Sequence, residues 1–293
     1  MTDIKNMINL LLPEQAIIPI VGIFVGASIT LSEIPNPTFL LLPFLSFFLL
    51  VLGFNASNSI YDIEIDKINR PKKPSSKGTI DKNSMWALSI IFYTIGLLLA
   101  TYNFYIFLLA MIFIFINLIY SIPPIRLKKR FLGDNFTGGL VYGIIPIAVG
   151  YVIFINNLTQ ISIPVFMYFF FSVAILSTIK DFEDYSGDKK HGIKTLPVIY
   201  GPYNASKIIS ISFLVVTASF SVYSFISGLV KLFVASTIVM ILGIIFSLLL
   251  IRKVSQGVEN FSDKKTAHQS FTTRIFFGLG LVMEIVYALV YII

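Results

Sequence analysis

Nine stretches of mostly apolar residues, each about as long as a membrane-crossing helix, leave this chain few folds to choose from. They cover approximately residues 15–32, 38–60, 85–102, 104–122, 136–155, 161–180, 205–226, 232–251 and 273–292. A helix rises about 1.5 Å per residue, so roughly 20 apolar residues cross the hydrocarbon layer with every backbone polar group paired internally. No gap between the stretches is long enough for a soluble domain, and 56% of the 293 residues are hydrophobic against 13% charged. The expectation is an all-α, multi-pass membrane protein forming one domain, residues 1–293. The N-terminal "MTDIKNMINLLLPEQ" has no small-residue cleavage site and does not read as a removed signal peptide. The absence of cysteine excludes disulfides, thiolate metal sites and a cysteine nucleophile.

The basic residues test the count of spans. With the N-terminus in the cytoplasm, Lys5, then Lys67, Arg70, Lys72, Lys73, Lys77 and Lys82, then Arg126, Lys128, Lys129 and Arg130 all fall on the cytoplasmic side. So do Lys180, Lys189, Lys190, Lys194 and Lys207, and Arg252, Lys253, Lys264, Lys265 and Arg274; of all Lys and Arg, only Lys231 falls on the other side. A wrong span count would scramble this sorting. The net charge of +7 is therefore an orientation signal and calls for no nucleic-acid partner.

Seven of the fifteen acids occupy two short segments on that same side: Asp62, Glu64 and Asp66 after the second stretch, and Asp181, Glu183, Asp184 and Asp188 after the sixth. On a helix, Asn58, Asp62 and Asp66 form one stripe roughly 12 Å long, and Asp181, Asp184 and Asp188 form another. The shared pattern Asp-x-x-x-Asp-Lys, in "DIEIDK" and "DYSGDK", hints at a duplicated helical unit. Carboxylates stacked this closely near hydrocarbon need cations, and Mg2+ is commonly held by one or two carboxylates together with substrate phosphates. The flanking Lys67, Arg70, Lys73, Lys180, Lys189 and Lys194 then become candidates to meet a diphosphate. An apolar bundle opening onto such a site suits a substrate with a greasy tail and a diphosphate head. A prenyl diphosphate has that shape.

These residues resemble the UbiA-type superfamily of intramembrane prenyltransferases, over essentially the whole chain. The resemblance rests on "NSIYDIEID" (58–66), "DFEDYSGD" (181–188), the following "INRPKKPSSKGTI" (68–80) and "GIKTLPVIYG" (192–201), and "YSIPPIRLKK" (120–129) at the end of the fourth stretch. It implies nine transmembrane helices around a central chamber capped by cytoplasmic loops, with two Mg2+ ions between the acidic motifs. One ion would be served by Asn58, Asp62 and Asp66 and the other by Asp181, Asp184 and Asp188, with Asp62, Asp66, Asp184 and Asp188 central to catalysis. Contacts to the diphosphate would come from Asn58, Arg70, Tyr120, Arg126, Lys128, Lys180 and Lys189. Three features depart from the family pattern: Ser59 follows Asn58 where an acid is frequent, Lys180 stands where Asn is common, and "RPKKPSSKG" replaces a more apolar loop. Lys180 has two open partners, Asp184 one turn away or the diphosphate.

The reaction so implied moves a prenyl group from a donor such as geranylgeranyl diphosphate to a lipophilic acceptor within the bilayer. Charge building on the departing diphosphate is stabilised by Mg2+ and the bases, and aromatic faces stabilise the allylic cation. The acceptor is open between aromatic or quinone precursors and geranylgeranylglyceryl phosphate of ether-lipid synthesis. The competing reading is a cation transporter using the paired carboxylates, although transporters place such groups near the midplane on interrupted helices. Glu284, within the ninth stretch, either faces the chamber or is protonated inside the bundle.

Overall fold

The computed structural model describes residues 4–155, 163–258 and 270–293, and Lys264 and Lys265 of the charge argument lie outside these residues. An amphipathic helix α1 (Ile4–Leu11) precedes α2 (Ile17–Leu31), and α3 (Pro37–Tyr61) leads into two short helices, α4 (Ile63–Asn69) and α5 (Pro74–Lys77). Then come α6 (Lys82–Ala100), α7 (Phe104–Ser121), α8 (Gly133–Gly138), a widened π turn over Gly139–Ile144, and α9 (Ile145–Ile155). After them follow α10 (Ile163–Ser177), α11 (Ile179–Lys190), α12 (Leu196–Tyr200), α13 (Pro202–Ile226), α14 (Val230–Ser255) and α15 (Phe271–Ile292). The described residues are all-helical, with eight helices long and apolar enough to cross a membrane, or nine counting the bent pair α10 and α11 as one span.

The boundaries follow from local chemistry. Asn36 accepts from the Thr38 amide at 3.0 Å and Pro37 occupies the first position of α3, where its missing N–H costs nothing. Asp81, Asn103 and Ser270 cap α6, α7 and α15 in the same way. Glycine sets the closest approaches. A Cβ on Gly26 would overlap the Ile147 carbonyl, and one on Gly150 the Ile23 carbonyl, so α2 and α9 touch backbone to backbone. Between α3 and α6, Ser46 donates to the Gly96 carbonyl at 2.8 Å and Ser89 to the Gly53 carbonyl at 2.9 Å. Since overpacking costs about 1–3 kcal/mol even against movable side chains, Gly150→Leu, which strikes backbone, is expected to lower the detergent Tm by several degrees or more, read by a fluorescence melt.

Lys231 occupies the opposite end of the molecule for a visible reason. It lies in the first turn of α14 and donates to the Tyr291 carbonyl at 2.9 Å, so the one base that the charge sorting sets apart caps the C-terminus of α15. The hint of duplication has a counterpart in the fold. Apolar α3, polar α4, short α5 and long α6 recur in order as α10, α11, α12 and α13.

Candidate active site

Each acidic motif stands on its own short helix beyond a break, whereas the sequence pattern suggested acids continuing the apolar spans. Asp62 leaves the helical region (φ −104°, ψ 3°), separating α3 from α4. Thr178 separates α10 from α11, and the two axes differ by 47°. The reason is solvation: helices this polar are unfavourable along the hydrocarbon path, and turning at the break brings both across the end of the bundle. The Asn58–Asp62–Asp66 register survives the break because the Asp66 amide still donates to the Asp62 carbonyl at 2.7 Å.

The two motif helices are joined directly. The Gly187 amide of α11 donates to Asn69 Oδ1 of α4 at 2.8 Å, and a Cβ on Gly187 would land on the Asn69 side-chain amide. One residue further along, Arg70 Nη2 donates to both oxygens of Asp184 at 3.2 Å, with Nη1 3.9 Å from Asp66. Both carboxylate ladders therefore share one guanidinium. Burial disfavours the Arg70 charge, but Asp184, Asp66, Glu183 and Asp188 outweigh it and raise its pKa above the ordinary range.

Beneath the joined helices lies a chamber of about 550 Å3. Asn58, Asp62, Asp66, Arg70, Asp184 and Asp188 line its polar part, while Phe54, Val173, Leu176, Phe276, Phe277 and Leu281 supply apolar wall. The buried Lys73 donates to Asp66 Oδ2 at 2.7 Å, and the buried Lys128 contacts Asp62 Oδ1. Asn58 donates to Asp62 Oδ2 at 2.8 Å and accepts from Ser121 at 2.9 Å, which ties the first ladder to the end of α7. Burial pushes the Lys128 ammonium down, with Lys180 adding to the effect, while Asp188, Asp134 and Asp184 work to keep it charged.

The remaining sequence candidates separate clearly. Asp181 and Tyr120 line the chamber. Arg126 stands behind the first ladder, donating to the Tyr61 carbonyl at 2.8 Å and lying 3.7 Å from Asp62, and is not part of the chamber wall. Lys189 does not line the chamber either; it is exposed, with its ammonium 5.5 Å above the Tyr185 ring. Lys67 points outward to Glu64 at 2.7 Å, and Lys194 is exposed. Lys180 lines the chamber and does not pair with Asp184. It donates to Asp134 Oδ1 at 2.7 Å and to the Tyr120 hydroxyl at 3.3 Å, because α8 brings an acid closer than the next turn of its own helix does. The Tyr120 hydroxyl in turn donates to Asp134 Oδ1 at 2.5 Å, so its proton is committed there. Glu183 is turned out of the chamber and accepts from the Ser270 amide at 3.0 Å, anchoring α11 to the start of α15. Glu284 does face the chamber.

Residues the sequence reading passed over include Asn69, Asp134 and Tyr142. Asp134 had a signal, an acid at the edge of an apolar run, but a span starting at 136 left it in a loop, whereas the helix begins at Gly133. Asn69 carries no local signal, its role coming from the helix it meets, and Tyr142 lines the chamber from the π turn.

The chamber chemistry suits a hard cation. Eight acidic side chains line it against five basic ones, so the wall is short of positive charge. The buried carboxylate oxygens Asp134 Oδ2, Asp181 Oδ2 and Glu284 Oε2 have no hydrogen-bond partner, and Asp62 Oδ1 has only its ion-pair contact with Lys128 and Arg126. Among the described residues no three carboxylate or imidazole side chains close around one point.

A family model described as the UbiA prenyltransferase family matches residues 20–262. The digeranylgeranylglyceryl phosphate synthase of Pyrococcus furiosus is 32% identical over 228 residues, 74% of this chain and 77% of that protein. The one from Sulfurisphaera tokodaii is 26% identical over 287 residues, 95% and 98% of the two chains. Among solved structures, a UbiA homologue from Archaeoglobus fulgidus bound to DMAPP and Mg2+ matches with a TM-score of 0.73 and 21% identity, covering 98% of this chain and 99% of the other. A structure of digeranylgeranylglyceryl phosphate synthase in membranes matches with a TM-score of 0.64 and 24% identity, covering 100% and 99%.

Proposed function

The chain belongs to the UbiA prenyltransferase family and is an integral membrane prenyltransferase, and on that premise we propose that it transfers a geranylgeranyl group from its diphosphate to geranylgeranylglyceryl phosphate. The observation that carries the reading is the pair of carboxylate ladders held face to face over an apolar chamber by the Arg70–Asp184 and Asn69–Gly187 contacts. The names of the Pyrococcus and Sulfurisphaera relatives support this acceptor over a phenolic one. The family reading leaves the transporter alternative without support.

Asn58, Asp62 and Asp66 would hold one Mg2+ ion, and Asp184 and Asp188, with Asp181, a second. Bound there, Mg2+ supplies Lewis-acid charge to the departing diphosphate. Lys73, Lys128 and Arg70 pair with Asp66, Asp62 and Asp184 and hold those three carboxylates in place. Toward a bound diphosphate the same three bases would donate to phosphate oxygens and stabilise the leaving group. The prenyl chain lies along Phe54, Leu176, Phe276 and Leu281, and the surrounding apolar wall keeps water from the allylic centre. The N-terminus and both motif helices face the cytoplasm, in keeping with the charge sorting.

Purified protein supplied with Mg2+, labelled geranylgeranyl diphosphate and separate glyceryl phosphate, phenolic and naphthoic acceptors tests this reading. Labelled digeranylgeranylglyceryl phosphate is expected; product only from an aromatic acceptor overturns the acceptor assignment. EDTA is expected to stop product formation completely and added Mg2+ to restore it, and turnover that persists in EDTA rules out the metal reading.

A further inference from the structure

We propose that Asp134 is the general base of the transfer, taking the proton from the acceptor hydroxyl; this rests on the reading of the acceptor as a glyceryl alcohol. Ether formation breaks the allylic carbon–oxygen bond, whose electron pair leaves with the diphosphate. A lone pair of the acceptor oxygen makes the new carbon–oxygen bond, and the hydroxyl proton must pass to a base. In that reading the ladder carboxylates are committed to the metal ions, with Asp62, Asp66 and Asp184 each also facing a Lys or Arg, whereas Asp134 belongs to neither ladder. Asp134 stands on a different element, the first turn of α8, which is pressed so tightly onto the preceding loop that a Cβ on Gly133 would overlap the Leu127 carbonyl.

Asp134 is only 7% exposed and yet belongs to the chamber wall. Its Oδ1 receives both protein donors, Tyr120 at 2.5 Å and Lys180 at 2.7 Å, which fix the carboxylate in place. Its Oδ2 has none. A buried acceptor without a donor is costly, and a hydroxyl entering the chamber supplies the missing hydrogen bond. The proton then moves along that bond to Oδ2, while Lys180 stays on the other oxygen.

The experiment compares geranylgeranylglyceryl phosphate with an analogue whose reacting hydroxyl is a thiol, at a pH where the thiol ionises without help. Asp134→Asn is expected to lower ether formation on the order of 10²–10⁴-fold while thioether formation falls less than about tenfold. Asp134→Glu, which keeps a carboxylate but displaces it, is expected to lower the ether-to-thioether ratio by a smaller factor. Because the ratio is independent of how much protein folds, an unchanged ratio in both variants overturns the proposal and leaves Asp134 as a brace for Tyr120 and α8. No ether from the wild-type chain removes the acceptor reading, and this proposal with it; ether from the wild type with unchanged ratios removes the proposal alone.

Discussion

Asp62→Ala and Asp184→Ala are each expected to lower kcat/KM for prenyl transfer about a thousandfold or more, a loss of the size seen when one preorganised electrostatic contact to a transition state is removed. The two variants differ in what they leave behind. Asp62 is in contact with the buried Lys128, so its removal strands an ammonium in the chamber, whereas Asp184→Ala leaves Arg70 with Asp66 at 3.9 Å. Breaking a buried pair from one side costs about 3–5 kcal/mol, and Asp62→Ala is therefore the less stable protein of the two. Adding Lys128→Met to Asp62→Ala removes the stranded charge and is expected to recover much of the melting temperature with no recovery of turnover. Activity assays beside melts of the detergent-solubilised variants check both halves. Turnover above a tenth of wild type in folded Asp184→Ala contradicts the assignment of the ladders.

The number of helices and the partnership of the motifs were legible because both depend on patterns the chain must show locally. A span needs an unbroken apolar run, and a carboxylate stripe needs its 3.6-residue spacing. What the sequence hid was set by contacts between elements far apart in the chain. Lys180 invites pairing with Asp184 on its own helix, yet Asp134, 46 residues earlier, lies 2.7 Å away once α8 is packed against α10. Lys189 directly follows Asp188 of the second ladder, but on α11 it points to solvent over Tyr185. The breaks at Asp62 and Thr178 are invisible in a hydropathy profile, since neither is glycine or proline. They arise because a polar helix cannot continue along the path of an apolar one.

The contact that makes the two ladders one site also carries no sequence signature. Gly187 sits between Ser186 and Asp188 in a helix interior, where glycine is less favourable than alanine by about 1 kcal/mol, so propensity alone favours Gly187→Ala. The structure gives the opposite sign. An added Cβ meets the amide of Asn69, which is buried and already accepts from the Gly187 amide, and the collision pushes α11 off α4. Displacing a reacting group by about 1 Å costs on the order of 10²-fold in rate, and that is the loss expected for Gly187→Ala. Asn69→Ala removes the obstacle together with the hydrogen bond, so alone it is expected to cost less. The double variant Asn69→Ala/Gly187→Ala is then expected to be faster than Gly187→Ala, a reversal that only a steric clash between these two positions produces. Steady-state rates for the four proteins close the cycle, and additive losses refute the contact as the element that sets the distance between the ladders.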